Sequence, residues 1–252
     1  MIKFFRKIRR NLLSEGKTGK YFKYAIGEIL LVVIGILIAL SINNWNGNNK
    51  DIQKEQLYLK ALHEELIQDT KSQNKIYGQL EMMENGAIYI MNVLDDPNKT
   101  IKDTLEFCNK FKVMMAFDQQ LPKPVIWHEL QSTGNMALIR NRALINQLYA
   151  YYFKTSNCEK DFKNNAQPFI NRARYLDSEI FSVKTQKDFF DNWKVEEIPN
   201  KKTIINILES KDIYNNTKGI ITGLLISKHT LNSVIKESNN LIVSIKNELK
   251  RK

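Results

Sequence analysis

LKALHEELIQDTKSQNKIYGQLEMMENGAIYIMNVL, residues 59–94, decides the fold of most of this chain. Leu59, Leu62, Leu66, Asp69, Gln73, Ile76, Leu80, Met83, Ala87, Ile90 and Leu94 recur at alternating steps of three and four, and only Asp69 and Gln73 among them are polar. That spacing lines one face of an α-helix through five heptads, and Asp95-Asp96-Pro97 ends it. A helix running from Lys50 to this stop would be about 65 Å long at 1.5 Å per residue. Asparagine-rich residues 43–49 precede it, with Gly47 the expected flex point.

Downstream, the period stays helical. A short helix is expected around Ile101–Met115, with Leu105, Cys108, Phe111 and Met115 on one face. Pro122 and Pro124 break the chain. VIWHELQSTGNMALI then reads as a short helix ending near Gly134, and a new helix starts at about Asn141. Leu144, Leu148, Tyr151, Thr155, Cys158 and Phe162 line that helix, and Pro168 should kink or divide it. Residues 184–200 read as a loop around a buried Trp193. From about Lys211, Ile220, Leu224, Ser227, Leu231, Val234, Ser238, Leu241 and Ile245 form a last seam, widened by Leu225, Ile235, Ile242 and Leu249. A stripe that broad suits a globular bundle better than a two-stranded coil. No alternating strand is present in the pattern. The expected fold is mainly α: an elongated antiparallel helical bundle with coiled-coil-like long helices, the first and last pairing.

Ahead of this bundle stands YAIGEILLVVIGILIALSI, residues 24–42, apolar without interruption from Ile29 to Leu40 and charged only at Glu28. These positions span about 30 Å as a helix, the thickness of a bilayer's hydrocarbon core. Residues 1–23 carry a net charge of +7, while NNWNGNN follows the apolar run uncharged. Cationic flanks stay inside, so the N-terminus is expected in the cytoplasm and the rest beyond the membrane. The organisation that follows is a basic cytoplasmic segment over 1–23, a transmembrane helix over 24–45 and an extracytoplasmic helical domain over 46–252. Tyr21, Tyr24 and Trp45 fall where amphipathic rings meet the two interfaces. Glu28 lies within about one turn of the cytoplasmic end and reads as an interfacial carboxylate. A cleaved signal peptide shares this order of charge and apolarity, and Ala39-Leu40-Ser41 offers small residues for cleavage. The long basic region and span-length apolar run favour a retained anchor. Arg9-Arg10 stands too far ahead of the apolar run for a twin-arginine signal.

The formal charge of +11 does not point to nucleic acid. Residues 50–252 hold only a +5 excess, and the dense cluster abuts the span. Anionic lipid headgroups would attract Arg6, Lys7, Arg9 and Arg10 there by about 1 kcal/mol each. The bilayer is the expected partner. Cys108 and Cys158 are chemically free to pair outside the cytoplasm, yet both sit at apolar-periodic positions and read better as two buried thiols.

Reactive constellations are scarce. His63 in LHEEL and His128 in WHEL each neighbour glutamate, but a zinc-binding helix needs a second histidine four residues on, where Ile67 and Ser132 stand. Both histidines read as solvated helix positions. No phosphate loop, metal-spaced cysteine pair or nucleophile elbow occurs, so no catalytic residue, metal or cofactor is expected and the chain reads as non-enzymatic. In HELQSTGNMALIRNRAL, Ser132, Gly134, Arg140 and Arg142 make a candidate interaction surface. The plainer reading is a helix–turn–helix joint with Gly134 left-handed and Ser132 and Thr133 satisfying helix-end groups.

FFRKIRRNLLSEGKTGKYFKYAIGEILLVVIGILIALSINNWN, with its Tyr-Ala-Ile-Gly-Glu-Ile opening and Asn-Asn-Trp-Asn exit, resembles a family of bacterial single-pass membrane proteins classed among domains of unknown function. The likeness continues through YLKALHEEL and ELQSTGNMALIRNRALINQLYAYY, where Ser132, Gly134, Ile139 and Arg140 match the family's recurring turn. It covers nearly the whole chain and is weakest after Pro168. It implies an inner-membrane protein with a periplasmic helical domain and implies no reaction.

The leading expectation is a membrane-anchored interaction or scaffolding protein that meets another envelope protein. A sensor or ligand-binding module acting through a membrane partner is the alternative, since 23 cytoplasmic residues cannot house an output domain. Self-association is a further expectation. Gly27, Gly35 and Ala39 offer small residues on a similar face of the span, and Asp69 and Gln73 could set register in a paired seam. The competing reading uses that seam within one chain.

Overall fold

The computed structural model describes Arg10 and residues 18–251. Arg6, Lys7, Arg9 and the side chain of Tyr21 therefore lie outside the described residues, and Arg10 is exposed. Eight α-helices occur among the described residues: α1 Thr18–Asp95, α2 Thr104–Val113, α3 Val125–Ser132, α4 Arg142–Asn165, α5 Gln167–Ile180, α6 Val183–Asn192, α7 Lys201–Glu209 and α8 Lys211–Lys250. The chain divides into two compact units after Leu57.

In the first unit, α1 leaves its apolar face uncovered. The segment is long and apolar enough to cross a membrane, and none of its most apolar window is buried; a signal sequence meets the same criteria of length and composition. Tyr24 and Trp45 are exposed, as is every residue from Ile29 to Leu40. A Cβ at Gly27 or Gly35 would meet nothing within 4 Å. Gly47 does not break the helix, which runs unbroken through residues 43–49. One isolated glycine costs about 1 kcal/mol in a helix interior, too little to end a helix this long.

In the second unit the heptad seam is realised in full. All eleven seam residues from Leu59 to Leu94 are buried, Asp69 and Gln73 included. They pack against α8, whose seam from Ile220 to Ile245 is buried at every expected position. The pairing is antiparallel: Thr70 meets Ser238, Glu84 meets Lys228 and Asp95 meets Tyr214. The seam is thus consumed within one chain. Of the residues expected to widen the α8 stripe, Ile235 is buried, Ile242 and Leu249 are half-buried, and Leu225 is exposed. Leu225 lies next to the seam residue Leu224 and is turned one step too far around the helix.

Helix ends fall where the chemistry puts them. Asp103, Asn141, Ser182, Asn200 and Ser210 cap α2, α4, α6, α7 and α8 through side-chain oxygens. The division at Pro168 occurs as expected: α4 stops at Asn165 and α5 opens with Pro168 in its first turn, where a missing N–H costs nothing. Residues 184–200 are not one loop. Val183–Asn192 form α6, and Trp193 is its exposed C-cap at φ 53°, stacked on Phe117 at 5.2 Å. The buried residues of this stretch are Phe189 and Val195.

A polar layer crosses this core at the two polar seam positions. Gln73 Nε2 donates to Tyr151 Oη at 2.8 Å, and the Thr70 and Ser238 hydroxyls lie 2.7 Å apart. Burial, with Glu65 nearby, raises the Asp69 carboxyl from 3.8 to about 6. Between these values the folded state binds more protons than the unfolded one, so this group's contribution falls as pH rises through that window. The shift corresponds to roughly 3 kcal/mol of penalty on the ionised carboxylate. Asp69→Asn, which cannot ionise, should melt close to wild type at pH 4 and be more stable by about 2 kcal/mol at pH 8. Paired thermal melts across that range measure it, and an equal difference at both ends would remove the ionisation argument.

Candidate functional site

The turn singled out in the sequence is a joint whose polar groups are largely used at home. Ser132 Oγ and Thr133 Oγ1 both donate to the Glu129 carbonyl, at 3.1 and 2.7 Å. Gly134 takes φ 73°, a conformation that a side chain strains. Asn135 Nδ2 donates to Tyr58 Oη at 2.8 Å, and Tyr58 Oη donates to Glu129 Oε1 at 3.0 Å. Ile139 is fully buried and pins the turn, while Asn141 caps α4 and donates to Glu248 Oε2 at 2.7 Å. Ser132, Gly134, Arg140 and Arg142 are exposed. Arg142 opens α4, where the helix dipole disfavours a cation by a few tenths of a kcal/mol or more.

The second unit carries several concave sites, two of them of about 600 Å³ or more. The larger, about 700 Å³, is bounded by the chain from Gln119 to Pro124, by Trp127, His128 and Gln131 of α3, and by the α4 face carrying Tyr149, Tyr152, Phe153 and Ser156. Its aromatic wall is ordered by ring contacts. Trp127 stacks on Tyr152 with centroids 4.6 Å apart and meets Tyr149 edge-on at 4.9 Å. Trp127 and Tyr152 are buried, whereas Tyr149 and Phe153 are exposed. Tyr152 Oη donates to Glu65 Oε1 at 3.4 Å, and Glu65 Oε2 accepts from the Ile126 amide at 2.9 Å, which ties the start of α3 to α1. Burial, with Glu65 next, pushes the Tyr152 phenol far above its ordinary value, so it stays a neutral donor. Gln119 is buried beside this wall. Its Nε2 donates to the Cys158 carbonyl at 3.1 Å, and its Oε1 has no hydrogen-bond partner.

The second site, about 600 Å³, is floored by a buried ion pair and walled by Phe181, Phe189, Phe190 and Trp193. Lys112 Nζ lies 2.7 Å from Asp177 Oδ1, donates to Asp177 Oδ2 at 2.9 Å and to Gln186 Oε1 at 2.8 Å, and sits 4.4 Å from the Phe181 ring centre. Gln186 Nε2 returns a bond to Asp177 Oδ2 at 2.6 Å. Burial pulls the Lys112 ammonium below its ordinary value, and Asp177 works against that pull. At the rim, Arg174 Nη1 holds Asp118 at 3.0 Å, and Nε holds the Met115 carbonyl at 2.8 Å. Each charge lining this cavity is therefore matched by a neighbour.

The family of unknown function DUF6090 matches residues 28–167. The chain belongs to this family. No curated protein and no solved structure matches it. The DUF6090 match is shorter than the near-complete likeness read from the sequence and ends one residue before Pro168. All of the larger cavity, from Gln119 to Lys163, falls inside the DUF6090 segment. The ion-paired cavity draws Arg174, Asp177 and its aromatic wall from beyond it.

The remaining sequence candidates take plain positions. Cys108 and Cys158 are separate buried thiols. Burial pushes the Cys108 thiol up to about 12 and raises that of Cys158 as well, which makes both poor nucleophiles. No group of three metal-capable side chains occurs among the described residues. His128 is exposed as expected, but His63 is half-buried and its Nε2 is closed off from solvent without a hydrogen-bond partner. Its place next to the seam residue Leu62 tucks the ring against the bundle rather than into water.

Gln119 and Asp177 carry no signal in the sequence that singles them out. Lys112 follows Cys108 by four residues and so falls beside the α2 apolar face, a placement that could have marked it. Its partners on α5 and α6 depend on tertiary packing.

Proposed function

We propose that this chain is a membrane-anchored, non-enzymatic interaction protein of the bacterial cell envelope. Its N-terminus lies in the cytoplasm and its helical domain in the periplasm. One observation carries the reading. Residues 29–40 form a continuous apolar helix surface that no described residue covers, while the unit from Tyr58 onward closes its own core. A soluble protein rarely exposes apolar patches of that extent, and a bilayer is the medium that removes the cost. The basic cluster ahead of it supports the orientation, with Arg6, Lys7, Arg9 and Arg10 set against anionic headgroups. Membership of DUF6090 is compatible with this reading and adds no reaction to it.

A second reading, an extracytoplasmic ligand-binding or sensing bundle, is favoured by the two cavities of about 700 and 600 Å³, a size that suits small-molecule sites. Self-association, with the seam buried inside one chain, rests on Gly27, Gly35 and Ala39 in the span.

A reporter enzyme that works only outside the cytoplasm, fused after Lys252, should be active in growing cells. A cytoplasm-only reporter should be silent at the same site. The reverse pattern overturns the orientation. Mature protein starting near Ile42 would replace the anchor with a cleaved signal.

A further inference from the structure

The strongest unexplained feature of the second unit is the edge of the larger cavity between α2 and α3. Residues 117–124 adopt no regular secondary structure. Gln119 and Leu121 are buried while Gln120 between them is exposed, the two-residue alternation of an extended chain. Among the described residues, no backbone amide from Asp118 to Lys123 donates a hydrogen bond within the chain. This segment therefore presents the unpaired donors and acceptors of a strand edge. Behind it lies Gln119, buried, with Oε1 lacking a partner. The amide cannot be turned round to hide this acceptor, because the Cys158 carbonyl opposite Nε2 can only accept. A buried acceptor without a donor is costly to keep. Beside it, Tyr149 and Phe153 leave large apolar faces in the open.

We propose that this cavity receives an extended polypeptide segment from a protein partner. The segment's main chain pairs along residues 118–123, and as it seats the edge shifts to bring an N–H to Gln119 Oε1, which is closed off before binding. One large aromatic or aliphatic side chain enters against Tyr149 and Phe153. Backbone pairing gives affinity and the side-chain slot gives selectivity, as in recognition by strand addition. Lys123 and Lys163 outweigh Glu159 among the charged lining residues, so acidic residues flanking the inserted side chain are preferred. This proposal rests on the interaction reading above and names the form of the partner.

The full chain in lipid nanodiscs, panned against a phage-displayed random dodecapeptide library with empty nanodiscs as subtraction, tests it. Enriched peptides should share a large apolar residue with acidic neighbours. As synthetic peptides they should bind wild type at least tenfold more tightly than Tyr149→Ala/Phe153→Ala, whose altered side chains are exposed and outside the core. Gln119→Leu should weaken binding to a similar degree. Absence of enrichment, or equal binding to the double variant, overturns the proposal, as does unchanged affinity in Gln119→Leu. Should Gln119→Leu fail to fold, the double variant decides alone. Chitohexaose binding that is lost in the double variant, without peptide binding, would overturn it in favour of a carbohydrate site. Active extracytoplasmic fusions together with a failed panning would remove this site and leave the anchored protein standing. Peptide binding with a cytoplasmic fusion would do the opposite.

Discussion

Gly223→Ala is expected to destabilise the helical unit by about 2 kcal/mol, and Gly223→Val to prevent its stable folding. A Cβ at Gly223 would stand 2.3 Å from the Asn165 carbonyl oxygen and 2.6 Å from the Ala166 Cα. Both atoms are backbone, so no side chain can swing aside. The crossing lies where α8 meets the joint between α4 and α5, and Ala166 there is fully buried. Overpacking of this kind costs about 3 kcal/mol when helices must separate, while the alanine returns about 1 kcal/mol of helix propensity. The steric term wins. Gly78 supplies the control: in α1, a Cβ there meets nothing within 4 Å, so Gly78→Ala should gain about 1 kcal/mol. Helix-signal melts of the full chain in detergent measure both. A stable Gly223→Ala would mean that α8 crosses the α4–α5 joint less closely than described.

The same crossing shows which features of the fold can be read from sequence. The seams of α1 and α8 were legible because a heptad repeat fixes which face is buried whatever covers it, and every seam residue is buried. Pro168 was legible because proline removes a donor wherever it stands. Trp193 was not. Its size suggested burial, but it follows a ten-residue helix capped by Ser182 and ends that helix left-handed, so its ring lies on the surface against Phe117. The α6 helix itself is not legible, because its ten residues, VKTQKDFFDN, hold too few apolar positions to show a period. The joint at the candidate turn is legible, since Gly134 and the hydroxyls of Ser132 and Thr133 act locally. Neither cavity was legible. Gln119 meets Cys158 across 39 residues and Lys112 meets Asp177 across 65, and no local period encodes such encounters.

That second pair supports the other large effect. Asp177→Ala should cost 3–5 kcal/mol, in the range found when one partner of a buried ion pair is removed. Lys112 is 3% exposed, and Asp177 supplies its counter-charge at 2.7 Å; without it, Gln186 Oε1 and the Phe181 face hold the ammonium alone. Burial already lowers the Lys112 proton affinity, and losing Asp177 removes the main influence opposing that shift. The unfolded state then binds more protons than the folded one from the lowered folded value up to 10.5, so the variant's stability should rise with pH across that window. Wild type should show a shallower rise over the same range. Lys112→Met/Asp177→Leu, which removes both charges, should recover most of the loss, because apolar replacements of a buried pair are often neutral or stabilising. Denaturant titrations of Lys112→Met, Asp177→Leu and the double variant beside wild type at pH 6 and pH 9 give the coupling directly. If Asp177→Ala matched wild type at both values, the pair would have to be solvated rather than buried, and the floor of this cavity would be open to water.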